Sequence, residues 1–246
     1  MGSDSRNILE TKELSKQFGG LWALMKVSLH VKEGEIVGLI GPNGAGKTTF
    51  INAITGLDPP TSGNIFFLGQ NSTGLAPEIM CHKGLSRTFQ ISRLFPRMTV
   101  LESVMVSAVF GNRIHDSSSA DVDFAREQLK FVEFPMPEDT ISSNLNAVQL
   151  KRLDLARALA SSPKLLFLDE IAAGLTGVEL SELMGVIRRV QDKGITILMV
   201  EHIMSVIMNL CDRLIVLNFG NKIAEGPTKE VANDAKVVEA YLGGHV

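Results

Sequence analysis

The stretch Gly41-Pro42-Asn43-Gly44-Ala45-Gly46-Lys47-Thr48 decides the fold. It satisfies G-x-x-x-x-G-K-[ST], with an additional glycine at its fourth position. The apolar run Glu35–Ile40 before it has strand character, and Thr48–Ile54 after it opens a helix. A strand, a glycine-rich loop and a helix in that order are the context in which backbone N–H groups close around phosphate oxygens. The positive end of the following helix strengthens the same field. Lys47 is placed to reach β- and γ-phosphates, Thr48 to offer its hydroxyl to Mg²⁺, and Thr49 continues the first helical turn. The chain is therefore expected to bind a nucleotide together with Mg²⁺.

Two further strand ends carry chemistry. Leu165-Leu166-Phe167-Leu168 is a continuous apolar run of the central parallel type, and it ends in Asp169-Glu170. Ligands and catalytic groups collect at the carboxyl ends of such strands. Asp169 is expected to partner Mg²⁺ directly or through water, and Glu170 to polarise the water attacking the γ-phosphate. Ile195–Val200 ends in Glu201-His202, where the imidazole is positioned to bond the γ-phosphate or hold that water. Gln90 ends a third strand, Gly84–Gln90; an amide there either ligates Mg²⁺ or is a plain surface side chain.

The remaining pattern is that of an α/β domain carrying additions. Ile8–Leu14 and Leu24–Val31 alternate apolar and polar residues, as half-exposed antiparallel strands do. Phe18 and Trp22 fall in the turn between them, where an aromatic either stacks on an adenine ring or packs against the sheet. Asn64–Gly69 reads as another strand and Pro77–His82 as a short helix. From Ile91 the periodicity becomes helical. Thr99 and Glu102 form a capping pair, Gly111–Ala120 is a Ser-rich loop, Asp121–Glu133 is a helix stopped by Pro135 and Pro137, and Ala147–Ala160 is another. Helix 177–193, strand Arg213–Leu217 and a C-terminal helical stretch follow. The expected organisation is a nucleotide-binding α/β core with an antiparallel β subdomain over 1–90 and 161–246, interrupted by a helical subdomain over 91–160.

Composition narrows the class. At 246 residues, 45% hydrophobic and 21% charged, the chain has ordinary globular proportions. A net charge of −3 provides no global basic field, so nucleic acid is not an expected partner. No run approaches the length of a membrane span, and Met1–Ser5 lacks the layout of a signal peptide. Cys81 and Cys211 are far apart and form no metal or redox spacing.

Taken together, these motifs resemble the ATP-binding subunits of ABC transporters, and most nearly the ATPases of branched-chain amino acid importers. The resemblance covers essentially the whole chain. Gly41–Thr48 matches the Walker A motif, Arg87–Gln90 the Q-loop, Leu165–Glu170 the Walker B motif and Glu201-His202 the switch histidine. Phe18 falls at the family's adenine-stacking position. Phe18–Leu24, Arg93–Val100, Ala172–Leu175 and Lys222–Gly226 look like the importer branch. The resemblance implies a P-loop core with antiparallel β and all-helical subdomains. It also implies a head-to-tail dimer in which each ATP meets one subunit's Walker A and the other's signature sequence.

That signature, typically LSGGQ, reads Leu145-Asn146-Ala147-Val148-Gln149 here. Asn146 keeps a polar side chain where the family has Ser. Ala147 and Val148 replace glycines whose bareness admits close backbone approach. If both adopt helical dihedrals, their N–H groups stay available, and Val148 either narrows the fit or disables the half-site. Ile171 stands for the usual Pro after the Walker B acids, and Thr176-Gly177 for the usual Asp or Asn and Pro.

The implied partners are membrane permease subunits, a second ATPase subunit of the same or a different kind, and indirectly an extracytoplasmic solute-binding protein. The implied location is cytoplasmic, peripheral on the inner face of the cell membrane. Apolar residues after Gln90 (Ile91, Leu94, Phe95, Met98, Val104, Met105) either line a groove for a permease helix or fill the helical core. Lipopolysaccharide export, a soluble ABC-type scaffold and a nucleotide sensor are the competing readings.

Overall fold

The computed structural model describes residues 6–89, 95–111 and 118–242. Two long strands, β1 (Asn7–Phe18) and β2 (Leu21–Lys32), open the chain as a hairpin. Gly19-Gly20 makes its tight turn, with Gly19 at φ 57°. Trp22 thus lies within β2, paired with Gln17, rather than in the turn expected from sequence. β4 (Ser62–Phe67) adds to β1, and β5 (Gln70–Asn71) to β4, giving an antiparallel sheet in the order β2-β1-β4-β5.

The second sheet is built from β3 (Ile36–Ile40), β6 (Leu85–Arg87), β7 (Leu165–Asp169), β8 (Thr196–Val200), β9 (Arg213–Asn218) and β10 (Asn221–Pro227). Its order is β10-β9-β3-β8-β7-β6, parallel except for the β9–β10 hairpin. The strand expected to end at Gln90 stops at Arg87 as β6, extended by one bond from Thr88 N–H to the Phe167 carbonyl at 2.9 Å. Gln90 itself lies outside the described residues.

Central strands β3, β7 and β8 are buried along their whole length, which is why they read as unbroken apolar runs. Their side chains divide between two cores. Ile36, Leu166, Leu168, Ile197 and Met199 face one core, shared with the helices; Val37, Leu39, Leu165, Phe167 and Leu198 face the other, shared with the antiparallel sheet. Gly38 permits close packing: a Cβ there would lie 2.6 Å from Leu214 Cδ2 and 2.9 Å from Cys211 Sγ.

Helix α1 (Lys47–Ile54) follows the glycine-rich loop, and α2 (Pro77–His82) precedes β6. Helices α3 (Val100–Phe110), α4 (Ser118–Phe131) and α5 (Ala147–Ala160) pack on one another. The Thr99–Glu102 capping box starts α3. α4 begins at Ser118, inside the stretch expected as loop, with Asp121 in its first turn favouring the helix N-terminus. Helices α6 (Gly177–Asp192), α7 (Met204–Leu210), α8 (Thr228–Val231) and α9 (Ala235–Leu242) complete the chain. Val104 is fully buried and Met105 packs on the helical core, so neither forms a groove; Ile91 and Leu94 lie outside the described residues.

Candidate functional site

The strand order sets the site. β9, β3, β8 and β7 are parallel neighbours, so the segments leaving their carboxyl ends lie side by side: Asn218–Gly220, Gly41–Gly46, Glu201-His202 and Asp169-Glu170.

The phosphate loop owes its shape to glycine at two positions. Gly41 has φ 150°, and a Cβ on it would fall 2.1 Å from the Leu217 carbonyl oxygen. Gly46 caps α1 at φ 102°, with Ala23 O only 2.5 Å from the place of a Cβ. Neighbouring turns hold the loop from outside. Gly220 N–H donates to Ala45 O at 3.0 Å, and Gly41 N–H donates to the Tyr241 hydroxyl oxygen at 2.8 Å. The first turn of α1 leaves N–H groups without intrahelical acceptors, pointing at the loop's concavity. Lys47 Nζ donates to Gly41 O at 2.6 Å and Pro42 O at 2.9 Å, so the ammonium is folded over the loop. Burial pushes its pKa down, while Glu170 and Asp169 act in the opposite sense.

A cavity of about 600 Å³ opens on this loop, lined by Asn43 to Thr49, Glu170, Leu21, Trp22 and Phe219 among others. A second, of about 800 Å³, continues past Gly41, Pro42, Asn43 and His202 to Tyr241. Trp22 supplies an aromatic to the first cavity, whereas Phe18 is not among its lining residues. Phe18 is half exposed, with the Lys16 ammonium 5.0 Å from its ring centre.

Asp169 is buried, and its Oδ2 accepts from Arg87 Nη2 at 3.0 Å. Arg87 Nη1 in turn donates to Asn52 Oδ1 at 2.7 Å. Burial raises the Asp169 pKa above the usual carboxylate range despite that guanidinium. Glu170 adopts φ 48°, in the left-handed region, which a side-chain-bearing residue takes only when its surroundings impose it. Its Oε1 lies 3.8 Å from His202 Nδ1. Glu201 is buried, accepts from Ala172 N–H at 2.8 Å, and has its pKa pushed up by burial.

The stretch 145–149 stands apart from these cavities. Asn146 caps α5 through a reciprocal box: Gln149 N–H donates to Asn146 Oδ1, and Asn146 N–H to Gln149 Oε1, both at 2.9 Å. Ala147 and Val148 are the first two residues of α5, so their N–H groups have no intrahelical acceptor. Ala147 is exposed and Val148 half exposed. The structure thus gathers Gly41–Thr49, Asp169, Glu170 and His202, and leaves Asn146–Gln149 on another surface of the same chain.

Residues 24–173 match the family model described as ABC transporter. This chain belongs to the ABC transporter ATP-binding family. A second model, described as branched-chain amino acid ATP-binding cassette transporter, matches residues 221–246. Similar proteins include the probable branched-chain amino acid transport ATP-binding protein LivG of Archaeoglobus fulgidus, 38% identical over 96% of this chain and 95% of that one. Another is the high-affinity branched-chain amino acid transport ATP-binding protein BraF of Pseudomonas aeruginosa, 35% identical over 97% and 99%. Among solved structures, the ADP conformation of MJ1267, an ATP-binding cassette of an ABC transporter, superposes with a TM-score of 0.87 at 33% identity, covering 97% of this chain and all of that one.

Several residues of this ABC cassette that touch the site escaped sequence reasoning. Arg87 was read as part of the Q-loop, yet its role beside Asp169 follows from the register Arg87↔Phe167 of β6 on β7. Lys151 sends its ammonium to the loop after β7. Tyr241 reaches Gly41 across two hundred residues, which no local pattern signals.

Proposed function

We propose that this cassette binds and hydrolyses ATP with Mg²⁺ to power import of branched-chain amino acids or a related small polar solute. The observation that carries the importer reading is the C-terminal match over residues 221–246, supported by relatives of that name aligned over nearly their full length. Residues 91–160 form the helical subdomain within an ATP-binding core of 1–90 and 161–246.

In this reading Gly41 to Thr49 hold the phosphates through backbone N–H groups, and Lys47 swings from the loop carbonyls to the β- and γ-phosphates. Glu170 polarises the attacking water, and His202 orients it or bonds the γ-phosphate. The donor chemistry fits Mg²⁺: the Thr48 hydroxyl and the Asp169 carboxylate at the carboxyl end of β7 are hard oxygen donors. Among the described residues no cluster of three His, Cys, Asp or Glu can hold a metal alone. Thr48 and Asp169, with Gln90 as a candidate, would hold Mg²⁺ beside the nucleotide's phosphates. Mg²⁺, when bound, neutralises charge on the phosphates.

Phe18 or Trp22 stacks on the adenine. Asn146, Ala147, Val148 and Gln149 meet the nucleotide of a second subunit, a reading supported by the existence of a dimeric bacterial ABC transporter cassette of this fold. No helix of the described residues is long and apolar enough to cross a membrane, in keeping with attachment to a permease at the membrane's inner face. Between β6, α3 and α5 a cleft of about 250 Å³, lined by Arg87, Phe89, Val106, Phe110 and Arg157 among others, suits a permease helix. Phe110 is 69% exposed at its rim. An extracytoplasmic binding protein acts through that permease.

The test is ATP-driven dimerisation of Glu170→Gln, followed by sizing with light scattering. A dimer with ATP that Lys47→Ala abolishes supports the reading, and absence of ATP binding overturns it. Reconstitution with the permease and binding protein then identifies the solute: ATPase stimulation by leucine, isoleucine or valine supports import, and stimulation by DNA with no permease association refutes it.

A further inference from the structure

The loop after β7 is fastened on two sides. Its N–H groups face β8: Glu170 N–H donates to Val200 O at 2.9 Å, and Ala172 N–H to Glu201 Oε1 at 2.8 Å. Its carbonyls face the opposite way, into α5. There Lys151 Nζ donates to Glu170 O at 3.2 Å, Ile171 O at 3.0 Å and Ala173 O at 2.5 Å. An ammonium has three protons, and all three are accounted for by this fan of acceptors. Turning the Glu170 and Ile171 carbonyls toward one point accompanies the left-handed dihedral at Glu170.

The charge matters as much as the hydrogen bonds. Glu170 and Glu201 both lie within electrostatic reach of Lys151. Glu201 is 2% exposed, and its Oε2 has no hydrogen-bond partner among the described residues. Without a nearby cation, two carboxylates would repel across this short loop. Lys151 also sits one turn into α5, whose first residues are Ala147 and Val148.

We propose that Lys151 is a positioning residue that locks the catalytic loop to the signature helix, so that the placement of the Glu170 carboxylate depends on the seating of the α5 N-terminal turn. The inference rests on the reading of Glu170 as the residue that polarises the attacking water. Contact of that turn with a second subunit's nucleotide is transmitted through one rigid helical turn and one ammonium. Lys47, Thr48 and the phosphate loop are not in this path, so ATP affinity should be spared.

The experiment compares wild type, Lys151→Met and Lys151→Arg in the full chain. For Lys151→Met, kcat for ATP hydrolysis is expected to fall at least tenfold while the Kd for ATP changes less than threefold. Lys151→Arg, which keeps the charge and reach, recovers kcat to within threefold of wild type. A Lys151→Met enzyme with unchanged kcat, or loss of kcat and affinity in parallel, overturns the proposal. So does an arginine variant as slow as the methionine one. If Lys151→Met does not fold, Lys151→Gln carries the same comparison.

Amide exchange in the nucleotide-free protein provides a readout independent of hydrolysis. Ala173 and Leu175 N–H, bonded to Glu170 O and Ala172 O, should exchange at least tenfold faster in Lys151→Met. Unchanged exchange sinks the proposal even if the chain hydrolyses ATP. A wild type that fails to bind ATP strikes the nucleotide reading instead, and the exchange result still decides whether Lys151 holds the loop.

Discussion

Arg87→Met should destabilise the nucleotide-free protein severely, and the reason is the burial of Asp169. The two side chains are 9% and 7% exposed and meet at 3.0 Å. Methionine keeps the apolar stem against Phe89, whose ring lies 4.9 Å from the guanidinium, and removes only the charge and donors. Breaking a buried pair from one side leaves an uncompensated charge and typically costs about 3–5 kcal/mol. At about 2–4 °C per kcal/mol for a chain of this size, the Tm should fall by about 6–20 °C.

The effect is expected to depend on pH. The Asp169 pKa is already raised in the folded state, so folding takes up a proton there between the ordinary aspartate value and the raised one. Stability from this group is therefore highest at low pH and declines as pH rises through that window. Removing Arg87 takes away a contribution that lowers the pKa, so the window widens upward. The loss in Tm should be largest at neutral pH and shrink as the medium is acidified. In an Asp169→Asn background the same substitution should cost only about 1 kcal/mol, for the lost bond to Asn52. Urea and thermal unfolding of the four proteins close the cycle. A penalty below about 1 kcal/mol at neutral pH, or an equal penalty in the wild-type and Asp169→Asn backgrounds, would refute the reasoning.

Two further outcomes follow from the same geometry. Tyr241→Phe leaves the buried Gly41 N–H without its acceptor; with Tyr241 41% exposed and water within reach, the loss should sit at the low end, about 1 kcal/mol, or about 2–4 °C in Tm. Amide exchange at Gly41 and a thermal scan check it, and no change in either rejects the role of α9 in holding the loop. Val148→Gly removes the half-exposed isopropyl group from the first turn of α5. If Val148 only narrows the approach to a second subunit's phosphates, ATP should drive the Glu170→Gln dimer at lower protein concentration in the glycine variant; a weaker dimer would show that the branched side chain is itself part of the contact.

The phosphate loop and the acids after β7 were legible because their chemistry is local. Gly41–Thr48 must supply bare backbone at fixed spacing, and β7 is apolar up to its terminal acid because both its faces are covered. Strand order was less accessible. Only the parallel neighbourhood β3-β8-β7 puts His202 near Glu170, and only the register of β6 on β7 puts Arg87 beside Asp169. Trp22 was misplaced because Gly19-Gly20 closes a two-residue turn and lets both strands run on, a choice made by turn geometry rather than by alternation. Lys151 and Tyr241 were invisible as functional residues, since each acts on backbone atoms and backbone partners leave no trace in residue type.

The altered signature looks different once its local structure is known. LSGGQ uses glycine to let a phosphate approach backbone N–H groups, and the helical start of α5 offers those groups with Ala147 and Val148 in place. Asn146 has committed Oδ1 to capping, so its Nδ2 donors are the part left to face an anion. If this turn is the half-site proposed above, its backbone and dipole contributions would survive the substitutions, and what would change is steric clearance at one side chain. A second ATPase subunit with a glycine-bearing signature would relieve that clearance for the nucleotide held by this chain. Val148 would then govern only the nucleotide held by the partner. In the proposed dimer the Walker side and the signature side of the chain would answer to different nucleotides, so that a full set of Walker-side residues and a crowded signature would be compatible in one sequence.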